Sequence, residues 1–126
     1  MTDTHSLLWL FMYPRKLGEH ARRTFDEIGM GEARLLIPVI VLAELIFTIE
    51  NKPITANLDE ILASLRANSN IEFVEFDLQL ALQLRELTES PEMHDRMIVA
   101  SALKHNVSLI TIDESITKSK LVDVVW

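Results

Sequence analysis

The chain has 126 residues, 48% of them hydrophobic and 25% charged, a composition that predicts one globular domain with a single core and argues against disorder. Its 19 acidic residues against 12 basic ones give a formal net charge of −7, which argues against a generic nucleic-acid coater, because such proteins carry a basic surplus. It contains no cysteine, so disulfide scaffolds, cysteine zinc sites, iron–sulfur clusters and thiol nucleophiles are excluded together.

Along the chain, Asp3 stands before the apolar run SLLWLFMY and suits a helix N-cap. Leu17, Ala21, Phe25 and Ile28 recur at helical spacing, with Gly29 as an expected stop. Arg34–Ile37 reads as a short buried strand cut by Pro38, and Val39 to about Glu50 as an apolar helix. Leu58, Ile61, Leu62 and Leu65 form an i, i+3, i+4, i+7 stripe, followed by a strand over Ile71–Phe76. Asp77 can cap a helix carrying Leu80, Ala81, Leu84 and Leu87. Ser90, Pro91 and Glu92 form a helix start, with the helix running to Asn106. Val107–Ile112 and Leu121–Val125 have the length and apolarity of buried strands.

Helices alternating with short apolar strands predict an α/β domain with a parallel sheet. In such sheets a ligand site lies beyond the carboxyl ends of the strands. The three glycines, at 18, 29 and 31, make no phosphate-cradling loop. The longest apolar run, Leu35 to Ala43, falls far short of the roughly 20 residues of a spanning helix. The run Leu7 to Tyr13 follows an acid rather than a basic region, unlike a signal peptide. A soluble, cytoplasmic protein without membrane contact is expected.

Four acids stand at the ends or inner faces of apolar elements. Asp113 follows the run VSLITI and reads either as a site residue or as the cap of a helix beginning ESI. Asp3 has the same two readings. Asp95 shares a helical stripe with Ile98, Val99 and Ala102; it reads as a site acid, as first-turn dipole stabilisation, or as the partner of Arg96 or His94. Glu44 interrupts LLIPVIVLAELIF, with Ile40, Val41 and Phe47 as helical neighbours. Its alternative is a thin solvent stripe with Thr48 and Asn51. Gathered in a dry site, four acids repel. A hard divalent cation resolves that repulsion, and oxygen-only ligands favour Mg²⁺ or Mn²⁺ over zinc. The matching chemistry is metal-assisted phosphodiester hydrolysis.

These residues carry a resemblance. DTHSLLWL, IPVIVLAEL, PEMHDRMIVASALKHN and SLITIDESI, in this order, resemble the four acidic motifs of PIN-domain ribonucleases, particularly VapC-like toxins of toxin–antitoxin pairs. The resemblance covers essentially the whole chain and implies a single PIN-like domain over residues 1–126. It implies an α/β/α sandwich around a central parallel sheet. It also implies a Mg²⁺-dependent endoribonuclease, usually homodimeric, acting on RNA and inhibited by a cognate antitoxin. Asp3, Glu44, Asp95 and Asp113 fall on its four catalytic, metal-binding acids, and Thr111 on a threonine that would orient the metal shell. Only Met1 and Thr2 precede Asp3, so the first strand is expected to be short.

Two rival classes stand beside this reading. One is a catalytically silent PIN-like module acting through dimer and partner contacts. The other is a phosphotransfer domain with Asp3 as acceptor, which is disfavoured because His5 stands where a second carboxylate is wanted. RNA capture by an acidic chain would need a local basic patch, for which Arg15, Lys16, Arg22 and Arg23 are candidates, with a solvated helix face as the alternative. His5, His20, His94 and His105 show no zinc-motif spacing; His94 and His105 read as surface or capping residues, while His5 could approach the site. Trp9 and Trp126 read as core or interface.

Overall fold

The computed structural model describes residues 1–89 and 92–126. Its elements are α1 (Thr4–Met12), α2 (Glu19–Met30), β1 (Leu35–Pro38), α3 (Val39–Asn51), α4 (Leu58–Ala67), β2 (Ile71–Val74), α5 (Leu78–Gln83), α6 (Met93–His105), β3 (Leu109–Ile110), α7 (Glu114–Ser119) and β4 (Val124–Val125), with 3₁₀ turns at Pro14–Lys16 and Leu84–Glu86. Ser90 and Pro91, expected to open the sixth helix, lie outside the described residues. That helix begins at Met93, with Glu92 in the N-cap position.

The pairing is parallel. β1 lies beside β2 with Leu35 opposite Ile71 and Pro38 opposite Val74. β3 lies beside β4 with Leu109 opposite Val124. The expected first strand is reduced to one bridge, Thr2 to Ile110. It is nevertheless tied in: Ile110 N–H donates to the Met1 carbonyl at 2.9 Å and Asp3 N–H to the Ile110 carbonyl at 3.2 Å. The described strands thus form two two-stranded pieces, β1–β2 and β3–β4, with the N-terminal bridge added to β3. Helices pack around them in the expected α/β arrangement, α1 against α3, α3 against α6 and α6 against α5.

The core follows the apolar periodicity. Leu7, Leu35, Ile37, Val41, Leu45, Val99 and Leu109 are fully buried, each contributing roughly 1.5–3 kcal/mol. α2 buries Ala21, Phe25 and Ile28 as its spacing predicts. It does not stop at Gly29. It runs to Met30 and ends at Gly31, whose φ of 83° is the left-handed cap conformation that glycine adopts without strain. Pro38 ends β1 as expected, as its last residue, and sits at the N-cap of α3. The last two strands are two residues each, shorter than the apolar runs containing them. Among the described residues no helix is long and apolar enough to cross a membrane.

Candidate active site

Two of the four acids sit at neighbouring strand ends. Asp3 follows the Thr2 bridge and caps α1; Asp113 follows β3 and caps α7. Asp95 occupies the first turn of α6, and Glu44 the middle of α3. All four line one cleft of about 340 Å³, with Thr4, His5, Trp9, Thr48 and Lys52 among its other walls.

The strand-end acids are held by backbone. Asp3 Oδ1 accepts the Ser6 N–H at 2.7 Å. Asp113 Oδ1 accepts the Ser115 N–H at 2.7 Å, the Ile116 N–H at 3.1 Å and the Ser115 hydroxyl at 2.6 Å. Burial alone would raise the Asp113 pKa, but these hydrogen bonds and the charge of His5 win and hold it below the usual carboxylate range. Thr111, fully buried, accepts the Asp113 N–H on its hydroxyl at 2.9 Å. It therefore orients the backbone that presents the acid.

Asp95 behaves oppositely. Burial first, then the charges of Asp113, Glu92 and Asp3, push it up to about 6. The Ser115 hydroxyl approaches its Oδ2 only at 3.4 Å while lying 2.6 Å from Asp113. One hydroxyl proton serves one acceptor at a time, and the shorter contact takes it.

Glu44 is engaged at both oxygens. The Thr4 hydroxyl donates to Oε2 at 2.5 Å and His94 Nδ1 lies 2.7 Å from Oε1. Its expected neighbour Phe47 is 67% exposed rather than covering it. Of the solvent stripe offered as its alternative, Asn51 is exposed, its amide donating to the Phe47 carbonyl, while Thr48 is half-buried and lines the same cleft as Glu44.

The donor set is all oxygen, which suits a hard cation. Among the described residues no three His, Cys, Asp or Glu side chains stand close enough together to hold a metal ion directly. The four acids therefore do not form a ready-made cage. They fit an ion that keeps several waters and takes one or two carboxylates, as Mg²⁺ does. Asp3 and Asp113 each commit Oδ1 to a cap, which leaves the second oxygen of each for such an ion.

Three partners were not legible in the sequence. His94 grips Glu44 across 50 positions, and no spacing rule links residues so far apart. Thr4 and Ser115 each directly follow or nearly follow a cap acid, and their ordinary reading is helix initiation. The basic group also divides: Arg22 donates to the Leu17 carbonyl and Arg23 pairs with His20, both local contacts of α2. Lys16 instead lies over the Trp9 and Tyr13 rings.

The PIN domain family model matches residues 1–120, and the chain belongs to that family. Solved structures share the fold. The DNA-bound VapBC of Salmonella typhimurium is 20% identical, with 98% of this chain and 94% of that chain covered and a TM-score of 0.70. VapBC2 of Rickettsia felis, bound to a DNA fragment from its promoter, is 16% identical, with 98% and 95% covered and a TM-score of 0.71. FitAcB of Neisseria gonorrhoeae is 22% identical, with 98% and 94% covered and a TM-score of 0.59. No curated protein matches the chain in sequence.

Proposed function

We propose that this PIN-domain chain is a Mg²⁺-dependent endoribonuclease, with Mn²⁺ as an alternative ion, and that it is the toxin of a toxin–antitoxin pair. The observation that carries the reading is the meeting of Asp3, Glu44, Asp95 and Asp113 in one cleft at the carboxyl ends of the strands. The family match supports the nuclease class. The similarity to VapBC and FitAcB structures supports a cognate antitoxin as partner. A homodimer is part of the same proposal.

Asp3 and Asp95 are assigned direct ligation of the ion, and Asp113 and Glu44 the remainder of its surroundings, directly or through water. When bound, the ion lowers the pKa of a coordinated water and offsets charge on the scissile phosphate. The chain's own residues set the geometry. The Ser6 and Ser115 amides fix the carboxylates of Asp3 and Asp113 on short backbone tethers. Thr4 and His94 hold Glu44 so that its charge stays at the cleft rather than sweeping through solvent. Asp95, with a pKa near 6, is ionised over most molecules at neutral pH and its charge is the least compensated of the four. In-line attack by water leaves a 5′-phosphate on one fragment.

The test is cleavage of RNA by wild type and Asp95→Asn with Mg²⁺, with Mn²⁺ and with EDTA. Cleavage by wild type with either metal, lost in EDTA and in the variant, is the expected result. Undiminished cleavage in EDTA or by the variant would place catalysis elsewhere. RNA or antitoxin binding without cleavage would leave the silent binding module.

A further inference from the structure

His5, Trp9 and Tyr13 are spaced four residues apart along α1 and its C-cap, so one helix face carries all three rings. His5 and Trp9 are themselves walls of the acid cleft, and their rings meet edge to face with centroids 6.4 Å apart. Tyr13 continues the row away from the cleft and is 42% exposed. Trp9 is backed by Trp126, its centroid 5.7 Å away, and Trp126 is seated on Gly18, where a Cβ would come within 2.6 Å of it. The Lys16 ammonium stands 5.4 Å from the Trp9 centroid and 4.7 Å from the Tyr13 centroid, within the range of cation–π attraction. Among the described residues no carboxylate forms an ion pair with Lys16.

We propose that this row is a subsite for single-stranded RNA, in which a base stacks on the Trp9–Tyr13 face and a neighbouring phosphate meets Lys16. The proposal rests on the reading above that the cleft hydrolyses RNA. Two features select this occupant. The row is continuous with the cleft, so a strand whose scissile phosphate lies among the acids would leave along α1. Its charge also changes along its length, from the acids to Lys16 and the adjacent Arg15, which gives an otherwise acidic chain a local place for phosphates. Stacking on aromatic rings needs bases whose faces are unpaired, hence a single strand rather than a duplex.

The experiment measures binding of a short single-stranded oligoribonucleotide to full-length Asp95→Asn protein, so that cleavage does not intervene, together with KM and kcat in the wild-type background. Tyr13→Leu and Lys16→Ala, both at exposed positions, are each expected to weaken binding about tenfold, to raise KM and to leave kcat unchanged. Lys16→Ala should also reduce the slope of log affinity against log salt by about 0.7. Trp9→Phe should bind better than Trp9→Leu. Unchanged affinity in Tyr13→Leu and Lys16→Ala, with wild-type cleavage intact, overturns the subsite and leaves the nuclease reading standing. Equal affinity for duplex RNA overturns it too. So does a loss of dimer mass by light scattering with RNA affinity unchanged, which would assign the row to a second copy of the chain. Absence of cleavage by wild type, with row-dependent RNA binding retained, removes the nuclease reading and keeps the subsite.

Discussion

The two sides of the acid cleft are built differently. On the strand side, Asp3 and Asp113 each accept the backbone amides of a helix that starts there. Their charge is used by the fold, and hydrogen bonding outweighs burial at Asp113. On the helix side, Asp95 is not the cap of α6, that position belonging to Glu92, and burial with its acidic neighbours pushes its pKa up to about 6. Glu44 is held by side chains, Thr4 and His94, rather than by backbone. The strand-side acids thus serve the architecture directly as caps, whereas at Asp95 burial and acidic neighbours oppose the charge, against which its first-turn position in α6 offers only the helix dipole.

The largest expected effect falls on that asymmetry. Asp95→Asn keeps the shape of the side chain, removes a ligand charge and relieves repulsion from Asp113 and Asp3. RNA cleavage should fall by orders of magnitude while the melting temperature of the apo protein stays level or rises. Asp113→Ala should instead lose both, with cleavage abolished and stability reduced by about 1–2 kcal/mol through the lost cap. Asp113→Asn, which keeps an oxygen acceptor for the Ser115 and Ile116 amides, should recover most of the stability and little of the cleavage. Urea unfolding beside a cleavage assay separates the cases; equal destabilisation by Asp95→Asn and Asp113→Ala would erase the distinction between the two sides.

This difference also explains what the sequence could disclose. Asp3 was legible as a cap because it precedes an apolar run and Asp113 because it follows one and precedes ESI; both are caps, and both line the cleft for which the site reading is proposed. Asp95 was legible through the buried stripe of Ile98, Val99 and Ala102 that continues from it. The helix periods located α2 and α4 because a buried stripe of 3.6-residue period is written locally, whereas α3 was located by its apolar run and α6 by its start signal. Strand ends were less legible: the run Val107–Ile112 contains only two residues of ladder, since apolarity marks burial and not pairing. The grip on Glu44 depends on how α3 and α6 approach each other, and no local pattern encodes that.

A smaller effect is expected at this grip. His94→Ala frees one oxygen of Glu44 and should lower Mn²⁺ affinity and cleavage about tenfold, in the range typical of residues that orient metal-site ligands. His94→Gln, which retains a donor, should restore part of both. Calorimetry with Mn²⁺ alone reads the affinity without RNA. An alanine variant with unchanged Mn²⁺ affinity and cleavage would mean that Glu44 holds its place without His94.

The smallest effect is a pH signature of opposite sign on the two sides. The Asp95 carboxyl titrates near 6 in the folded chain and near about 3.9 in an unfolded one. Between these values the folded state binds more protons than the unfolded state, so stability is full below about pH 4 and declines as pH rises through about 6. Asp95 is only half-buried, and solvent screening reduces this to about 1 kcal/mol. Asp113 runs the other way. Its folded pKa is depressed, so its contribution is present above the unfolded value near about 3.9 and is lost as pH falls through its folded value. Denaturant unfolding of metal-free protein from pH 3 to 8 should therefore show stability rising at the acid end and then sagging toward neutral pH. Asp95→Asn should remove the sag and keep the rise, while Asp113→Asn should flatten the rise. Mg²⁺ should fill in the sag of the wild type, because the cation offsets the charge that the fold alone leaves uncompensated. A sag that persists unchanged in Asp95→Asn would assign it to another group and dissolve the contrast between the two sides.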